Sequence, residues 1–163
     1  MHSISPTARI SPLADLEDSV RGSCLVIGNE RVVDSFVKIK FTGGTGDVIV
    51  GARSHLNSGT VVYSGNGVRI GNDVLVAANC TFAPVNHAYT RRDIPISQQR
   101  FLPSKGGIVI GDGVWIGANC VVLDGAVLGE GCIVAAHSLV RGTLEPYSIN
   151  VGTPATLQRY RPE

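Results

Sequence analysis

Aliphatic residues recur at every sixth position along most of this chain. From residue 110 onward the series runs without a gap through Ile110, Ile116, Val122, Leu128, Val134 and Val140. A mostly small residue stands four positions after each of the first five: Val114, Cys120, Ala126, Cys132 and Ser138. The same register is found at residues 4–20, with Ala8, Ala14 and Val20 at the small positions, and again at residues 50–62 and 70–80. Residues 22–46 are interpreted as irregular.

A period of six matches neither the 3.6-residue period of an α-helix nor a long alternating strand. It indicates a short strand and a sharp turn, repeated, so that stacked units bury a continuous apolar column. The sequence therefore predicts an all-β fold: one domain over residues 1–163, built as a parallel β-helix of hexapeptide repeats. The cysteines at small positions, Cys80, Cys120 and Cys132, are interpreted as buried spacers.

The repeat is interrupted by one long polar segment, residues 86–107. Its sequence, NHAYTRRDIPISQQRFLPSKGG, contains two prolines and four cationic side chains and closes on two glycines. Loops of this length in a compact repeat are often functional. Because the segment opens with Asn86 and His87, we predict an extruded loop that carries a chemical group at its base.

Composition narrows the classes of partner. The formal net charge is +1, which gives no support for a nucleic acid or a membrane surface. No apolar run approaches the roughly 18 residues that a membrane-spanning helix needs, and residues 1–10 lack the pattern of a secretory signal. The expectation is a cytoplasmic protein without a membrane span.

Four stretches carry a resemblance to a known family. The segment VIGDGVWIGANCVVLDGAVLGEGC resembles the hexapeptide-repeat acyltransferases. VLVAANCTFAPVNHAYT, with the later IPI and PYSINVGTPA, is similar to the branch that O-acetylates sugars and polysaccharides. The resemblance implies left-handed connections between strands, acetyl-CoA as acyl donor, a sugar or glycan as acceptor, and a homotrimer with sites between subunits.

The resemblance also implies roles for individual residues. His87 matches the general base, and Asn79 and Asn86 fall at acceptor-binding positions. The positions that match the coenzyme A groove are Trp115, Ala118, Ala136, Ser138, Arg141 and Arg159. The chain departs from the family in reading AAHS at residues 135–138, where GAGS is usual, and in lacking a lysine near Gly142.

These residues suit acetyl transfer to an alcohol. A hydroxyl group is a poor nucleophile at neutral pH, and histidine, with an ordinary pKa of about 6.5, is well matched to remove its proton. No serine or cysteine nucleophile is apparent beside His87 in sequence, so direct transfer is expected. The alternatives are N-acetylation of a nucleotide-linked amino sugar and a non-catalytic scaffold. A three-histidine metal site like that of γ-type carbonic anhydrases is poorly supported, because His55, His87 and His137 are 32 and 50 residues apart; no metal is expected.

Overall fold

Short β-strands joined by tight turns run through residues 2–162, the part of the chain that the computed structural model describes. The strands are β1 (His2–Ile4), β2 (Arg9–Ile10), β3 (Asp15–Leu16), β4 (Leu25–Ile27), β5 (Val32–Val33), β6 (Lys38–Lys40), β7 (Val48–Val50), β8 (His55–Leu56), β9 (Val61–Tyr63), β10 (Val68–Ile70), β11 (Leu75–Val76), β12 (Thr81–Ala83), β13 (Ile108–Ile110), β14 (Trp115–Ile116), β15 (Val121–Leu123), β16 (Val127–Leu128), β17 (Ile133–Val134), β18 (Leu139–Val140), β19 (Thr143–Leu144), β20 (Ser148–Gly152) and β21 (Ala155–Tyr160). A 3₁₀-helix, Ile96–Gln98, lies between β12 and β13.

Each strand from β1 to β17 pairs in parallel with the strand three places further along the chain, which produces three sheets that wind as a three-sided prism. The first face has the order β1-β4-β7-β10-β13-β16-β19 and the third face the order β3-β6-β9-β12-β15-β18. The second face runs β2-β5-β8-β11-β14-β17-β20 and ends on β21, which pairs antiparallel with β20. The predicted all-β hexapeptide coil is therefore confirmed.

The aliphatic residues of the six-residue period point into the prism. Ile110, Ile116, Val122, Leu128, Val134 and Val140 are all buried, and so are the small residues predicted between them. The coil at the start of the chain is less well covered, since Ile10 and Leu16 are half-buried and Ile4 is exposed. Val20 was expected at a small buried position but is 92% exposed, because residues after β3 leave the coil before β4 begins.

The corners of the prism have a common geometry. At the second corner, between the second and third faces, Asn79, Asn119 and His137 have φ angles of 60°, 59° and 60°. This left-handed conformation is uncommon outside glycine, and Asn and His are among the residues that tolerate it best. It turns the chain inward, so that the residue that follows each of them is a buried small one.

Polar small residues at the second corner also join successive coils. Thr60 Oγ1 donates a hydrogen bond to the carbonyl of Ala77 at 3.3 Å. One coil further on, Cys80 Sγ donates to the carbonyl of Gly117 at 3.2 Å. Cys80 is fully buried, and its contact with the Cys120 thiol, followed by burial, raises its pKa. The interpretation of Cys80, Cys120 and Cys132 as buried spacers is confirmed by their burial. The thiols of Cys80 and Cys120 also donate hydrogen bonds to carbonyls of the next coil.

The prediction that residues 22–46 are irregular was right at the two ends of the segment and wrong for residues 25–40. They contain β4, β5 and β6, and Ile27, Val33 and Ile39 keep the six-residue period as buried residues. The period was obscured because Arg31 occupies a position where a small residue is expected. The true departures from the repeat all fall at the third corner, between the third face and the first: residues 17–24, 41–47, 64–67 and 84–107.

Arg31 is an unusual occupant of the prism interior. Its side chain is fully buried at the first corner, where the next coils have Ser54, Val74 and Val114. Nη1 donates to the carbonyl of Val50, while Nε and Nη2 have no hydrogen-bond partner among residues 2–162. Burial, and then the nearby charge of Arg53, lower the pKa of Arg31 from its usual range to about 10. A buried cation without a counter-charge lowers the stability of the fold.

We expect Arg31→Val to stabilise the protein, since valine is the natural occupant of this position at Val74 and Val114. The gain in the free energy of unfolding at pH 7 should be about 1–4 kcal/mol, measured by chemical denaturation. The penalty in the wild type is complete below pH 10. It fades as the pH rises above about 10, because the folded state loses the Arg31 proton before the unfolded state does.

The matched control is Arg69→Gln, which removes a cation from the exposed side of the first face. Its unfolding free energy should change by less than about 0.5 kcal/mol. A loss of stability in Arg31→Val would show that the guanidinium supports the coil.

Candidate functional site

The loop between β12 and β13 leaves and rejoins the prism as two paired segments. His87 forms an antiparallel bridge with Phe101. On either side of it, the N–H of Ala88 donates to the carbonyl of Arg100 at 3.1 Å, and the N–H of Leu102 donates to the carbonyl of Asn86 at 2.8 Å. The predicted extruded loop is thus an ordered excursion, and His87 is held where it begins.

A buried carboxylate fixes the returning end of the loop. Asp124 Oδ2 accepts hydrogen bonds from the backbone N–H of Lys105 at 2.8 Å and from the side-chain amide of Asn66 at 3.2 Å. Its Oδ1 accepts from the backbone N–H of Gly107 at 2.9 Å. Asp124 belongs to the next coil of the prism and is only 6% exposed. The base of the loop is therefore tied to a rigid element.

The far part of the loop is held by Gln99. Its amide nitrogen donates to the carbonyls of Arg91 and Ile94, and its Oε1 accepts from the backbone N–H of Arg91 at 3.0 Å. The Arg91 side chain in turn pairs with Asp93 at the exposed tip. Arg91 is thus engaged within the loop.

His87 lies beside a cleft of about 330 Å³ at the third corner. The loop contributes His87 and Phe101, whose rings lie 4.7 Å apart between centroids at an angle of 40°. The prism contributes Tyr63 and Ala83 from the third face, and Thr42, Gly43 and Val85 complete the wall. The His87 side chain is exposed, and no hydrogen bond from residues 2–162 reaches either ring nitrogen. Both nitrogens are therefore open to a ligand.

Close packing against Val85 explains why residue 43, in the wall of the cleft, is a glycine. Gly43 has a φ of 81°, and a Cβ there would lie 2.8 Å from Cγ1 of Val85. Any side chain at this position would push Val85 toward the cleft.

The second corner presents free backbone donors. Ala118 is half-buried and Ala136 is exposed, so this edge is shallow. Within residues 2–162, no hydrogen bond uses the backbone N–H of Ala118 or of Ala136. Asn79 lies on the same corner, one coil before Ala118, over Gly59, where a Cβ would come within 2.3 Å of the Asn79 Oδ1. These residues form what we call the corner groove.

Trp115 and Arg159 share a column on the outer side of the second face. Trp115 pairs with Ile133, Ile133 with Ile149, and Ile149 with Arg159. Trp115 is 49% exposed. An outward-facing strip thus runs from the Trp115 indole through Ile133 and Ile149 to the guanidinium of Arg159.

Two of the predicted cofactor-binding residues lie apart from that strip. Ser138 is buried, and its Oγ accepts a hydrogen bond from the N–H of Gly152 at 3.1 Å, so its hydroxyl is engaged inside the coil. Arg141 is exposed directly after β18, at the third corner. His137 lies in the corner groove instead, with Nε2 3.4 Å from Nδ2 of Asn119.

The structure places the predicted site residues at two different edges of one prism. His87, Asn86 and Arg141 are at the third corner, whereas Asn79 and the corner groove are at the second. Strand β12 separates His87 from Asn79. One copy of the chain therefore does not bring all of them together.

Sequence reasoning missed three residues of the site. Tyr63 and Phe101 line the cleft, and Asp124 anchors the loop. Tyr63 stands immediately after an inward-pointing residue of the period, so its outward direction was predictable, but its proximity to a loop 24 residues later was not. An aspartate in a corner of a regular repeat, as at Asp124, was a signal that could have been used.

Comparison with known proteins identifies the repeat. Residues 107–142 match the family model described as bacterial transferase hexapeptide (six repeats). Rv3034c of Mycobacterium tuberculosis, assigned as an acetyltransferase, is 33% identical over 116 residues. WbbJ of Escherichia coli, an O-acetyltransferase assigned to lipopolysaccharide biosynthesis, is 30% identical over 119 residues. The chain belongs to the hexapeptide-repeat transferases.

The matched segments cover 71% and 70% of this chain but only 38% and 61% of those two relatives. This hexapeptide-repeat chain thus spans about two-fifths and three-fifths of the length of the relatives it matches.

Solved structures confirm the left-handed β-helix. AntD of Bacillus cereus, an N-acyltransferase crystallised with dTDP and coenzyme A, superimposes with a TM-score of 0.82 over 98% of this chain and 84% of its own, at 23% identity. The hexapeptide-repeat acetyltransferase VCA0836 of Vibrio cholerae is 29% identical, with a TM-score of 0.62 over 69% of this chain and 62% of its own.

The described residues contain neither a grouping of metal ligands nor a membrane-spanning helix. Among residues 2–162, no group of three His, Cys, Asp or Glu side chains is placed to hold a metal ion. His55 lies on the second face, His87 on the loop and His137 at the second corner, so the three histidines are not clustered. The same residues include no helix with the length and apolar character required to cross a bilayer.

We expect Asp124→Ala to loosen the loop. The variant leaves the buried N–H of Gly107 without an acceptor, which should cost about 1–3 kcal/mol of unfolding free energy. The loop should also become more accessible to trypsin, which would cleave after Arg91, Arg92 or Arg100. Limited proteolysis followed by mass spectrometry measures this.

Asp93→Ala is the matched control, because Asp93 is an exposed carboxylate at the loop tip whose ion pair with Arg91 contributes little. If both variants were cleaved at the wild-type rate, Asp124 would not be what holds the loop.

Proposed function

We propose that this chain is an acetyl-CoA-dependent acetyltransferase that transfers the acetyl group directly to a hydroxyl of a sugar or glycan, with His87 as general base. The observation that carries the proposal is the position of His87 at the mouth of a cleft, with both ring nitrogens unengaged. The activities for which the relatives are named support acetyl as the transferred group. Rv3034c and VCA0836 are named as acetyltransferases, and WbbJ is named as an O-acetyltransferase.

In the proposed reaction, neutral His87 accepts the proton of the acceptor hydroxyl as its oxygen forms a bond to the thioester carbonyl carbon. A backbone N–H stabilises the oxyanion that develops on the carbonyl oxygen. When the carbon–sulfur bond breaks, His87 returns the proton to the departing thiolate. The buried thiols at the second corner donate inward to carbonyls of the coil, which supports direct transfer over an acyl-cysteine.

The chain has features that suit the donor. The unengaged N–H groups of Ala118 and Ala136 are free to bind carbonyl or phosphate oxygens of a long, narrow ligand. Trp115 offers an apolar surface beside them, and Arg159 provides a cation for phosphate at the end of the column. The structure of VCA0836 in complex with acetyl coenzyme A aligns with 82% of this chain, and that alignment has 26% identity.

Transfer to nitrogen is the second candidate. AntD, whose fold this chain shares, is an N-acyltransferase crystallised with dTDP-4-amino-4,6-dideoxyglucose. An amino sugar arrives largely as an ammonium ion, which favours a carboxylate nearby. None of the described residues that line the His87 cleft is acidic, and this favours an alcohol.

We also propose that the active form is a homotrimer with each site shared between two copies. The separation of His87 and Asn79 onto different corners supports this arrangement, because a neighbouring copy can place its second corner against the third corner of the first. Cyclic assemblies with such heterologous contacts close after a fixed number of copies.

The decisive test of the chemistry is His87→Ala, assayed by release of free thiol from acetyl-CoA in the presence of a sugar panel. Acceptor-dependent release should fall by about 10²–10⁴ because the general base is gone. Unfolding temperature and coenzyme A affinity should not change, since the imidazole makes no hydrogen bond within residues 2–162. His55→Gln, on the second face, is the matched histidine control.

Full activity of His87→Ala would remove this residue from the mechanism. A wild-type protein that neither binds coenzyme A in calorimetry nor releases thiol would leave the scaffold alternative.

Sharing of the site is tested by mixing two inactive variants. His87→Ala removes the base, and Asn79→Gly removes the acceptor-binding amide while keeping a residue suited to a φ of 60°. If each site takes His87 from one copy and Asn79 from the next, random mixed trimers should recover about a quarter of wild-type activity. The mixture is refolded together and assayed by thiol release.

No recovery from mixed assemblies, whose composition is verified by native mass spectrometry, would place both residues in a site within one copy.

A further inference from the structure

The cleft beside His87 has a composition that restricts the acceptor. We infer that it binds one uncharged sugar ring through the carbon face of that ring, packed between Tyr63 and Phe101, with Tyr63 Oη and Thr42 Oγ1 as partners for ring hydroxyls. This inference rests on the proposed function. The proposed function leaves the class of sugar open, and the inference specifies that class.

The size of the cleft sets the first limit. Its volume of about 330 Å³ lies at the lower end of the range of about 300–1,000 Å³ for ligand pockets. One monosaccharide unit is of suitable size, whereas an entire nucleotide-linked sugar would extend beyond it. The recognised part of the acceptor is therefore a single ring.

The walls set the second limit. Phe101 is 41% exposed, and its ring centroid lies 4.7 Å from that of the His87 imidazole. Tyr63 lines the same cleft from the third face of the prism. Together with Ala83 and Val85, these two aromatic side chains give the cleft a lining that is mostly carbon. A sugar ring also has a face made of C–H groups, and aromatic surfaces pack well against such a face.

Charge sets the third limit. None of the described residues that line the cleft carries a fixed charge. Lys40 is the cross-strand neighbour of Tyr63 in the preceding coil of the third face. Its Nζ forms an ion pair with Oδ2 of Asp15 at 2.6 Å. An ammonium or carboxylate group on the acceptor would thus lose water without gaining a counter-charge. The cleft selects against amino sugars and uronic acids.

Two hydroxyl groups remain for orientation. No hydrogen bond from residues 2–162 involves Tyr63 Oη or Thr42 Oγ1, although both residues border the cleft. With the His87 imidazole, they are the polar side-chain groups of its wall. They can therefore bind ring hydroxyls next to the one that His87 deprotonates, which would decide which hydroxyl is acetylated.

The test compares four methyl glycosides: a glucoside, its 6-deoxy derivative, its 2-amino-2-deoxy derivative and the glucuronide. Thiol release from acetyl-CoA gives kcat/KM for each. The glucoside and the 6-deoxy sugar should both be acetylated, and the two charged sugars should react at least about tenfold more slowly, a difference of about 1.4 kcal/mol. Equal or faster reaction of a charged sugar would overturn the inference and leave acetyl transfer intact.

Tyr63→Phe is the matched variant, because it keeps the aromatic wall and removes only Oη. It should raise KM for the glucoside by about three- to tenfold, in line with the loss of one hydrogen bond, with little change in kcat. Selection against the charged sugars should persist. Phe101→Leu should weaken the binding of both neutral sugars to the same extent, because it removes an aromatic wall that both sugars contact.

Failure has distinguishable forms. Loss of thiol release and of coenzyme A binding in the wild type defeats the proposed function, and this inference with it. Coenzyme A binding without transfer to either neutral sugar defeats the inference alone. A change in oligomeric state of Tyr63→Phe by light scattering, with unchanged KM, would show that a neighbouring copy fills the cleft.

Discussion

The register between successive coils is the constraint on which the rest of the structure depends. Each strand forms its backbone hydrogen bonds with the coil before and the coil after, so a residue of one coil has a fixed partner in the next. At the corners that contain Asn79, Asn119 and His137, a left-handed residue followed by a buried small one keeps that register. The interior holds one narrow column of mostly aliphatic side chains. Arg31 is an exception, and two of its buried nitrogen atoms have no hydrogen-bond partner among residues 2–162.

The same constraint determines where the chain can vary. From each inward residue of the first face to that of the third, the spacing of six is kept, as from Ile27 through Val33 to Ile39 and from Ile70 through Val76 to Phe82. All additions fall where the third face gives way to the first. His87, Phe101 and their cleft are built at that corner, and Asp124 of a regular coil holds the addition in place.

The fold could be predicted from the sequence because one six-residue pattern specifies burial, turn and pairing together. The prediction failed at residues 25–40, where Arg31 masks a coil that is regular in structure, and at Val20, which lies beyond the end of its coil. The prism side of the cleft could not be predicted. Tyr63 is distant in sequence from His87, and its place beside the loop depends on how coils stack. The resemblance named Asn79 and His87 together, but only the structure shows that a full side of the prism separates them.

Growth at a single corner makes the prism a constant frame with one variable segment. Strands β12 and β13 are held by neighbours in other coils, namely β9 and β15, and β10 and β16. The loop between them can therefore change in length or composition without shifting the frame. A change in that loop would alter the cleft beside His87, while the corner groove, which lies on another edge of the prism, would keep its geometry.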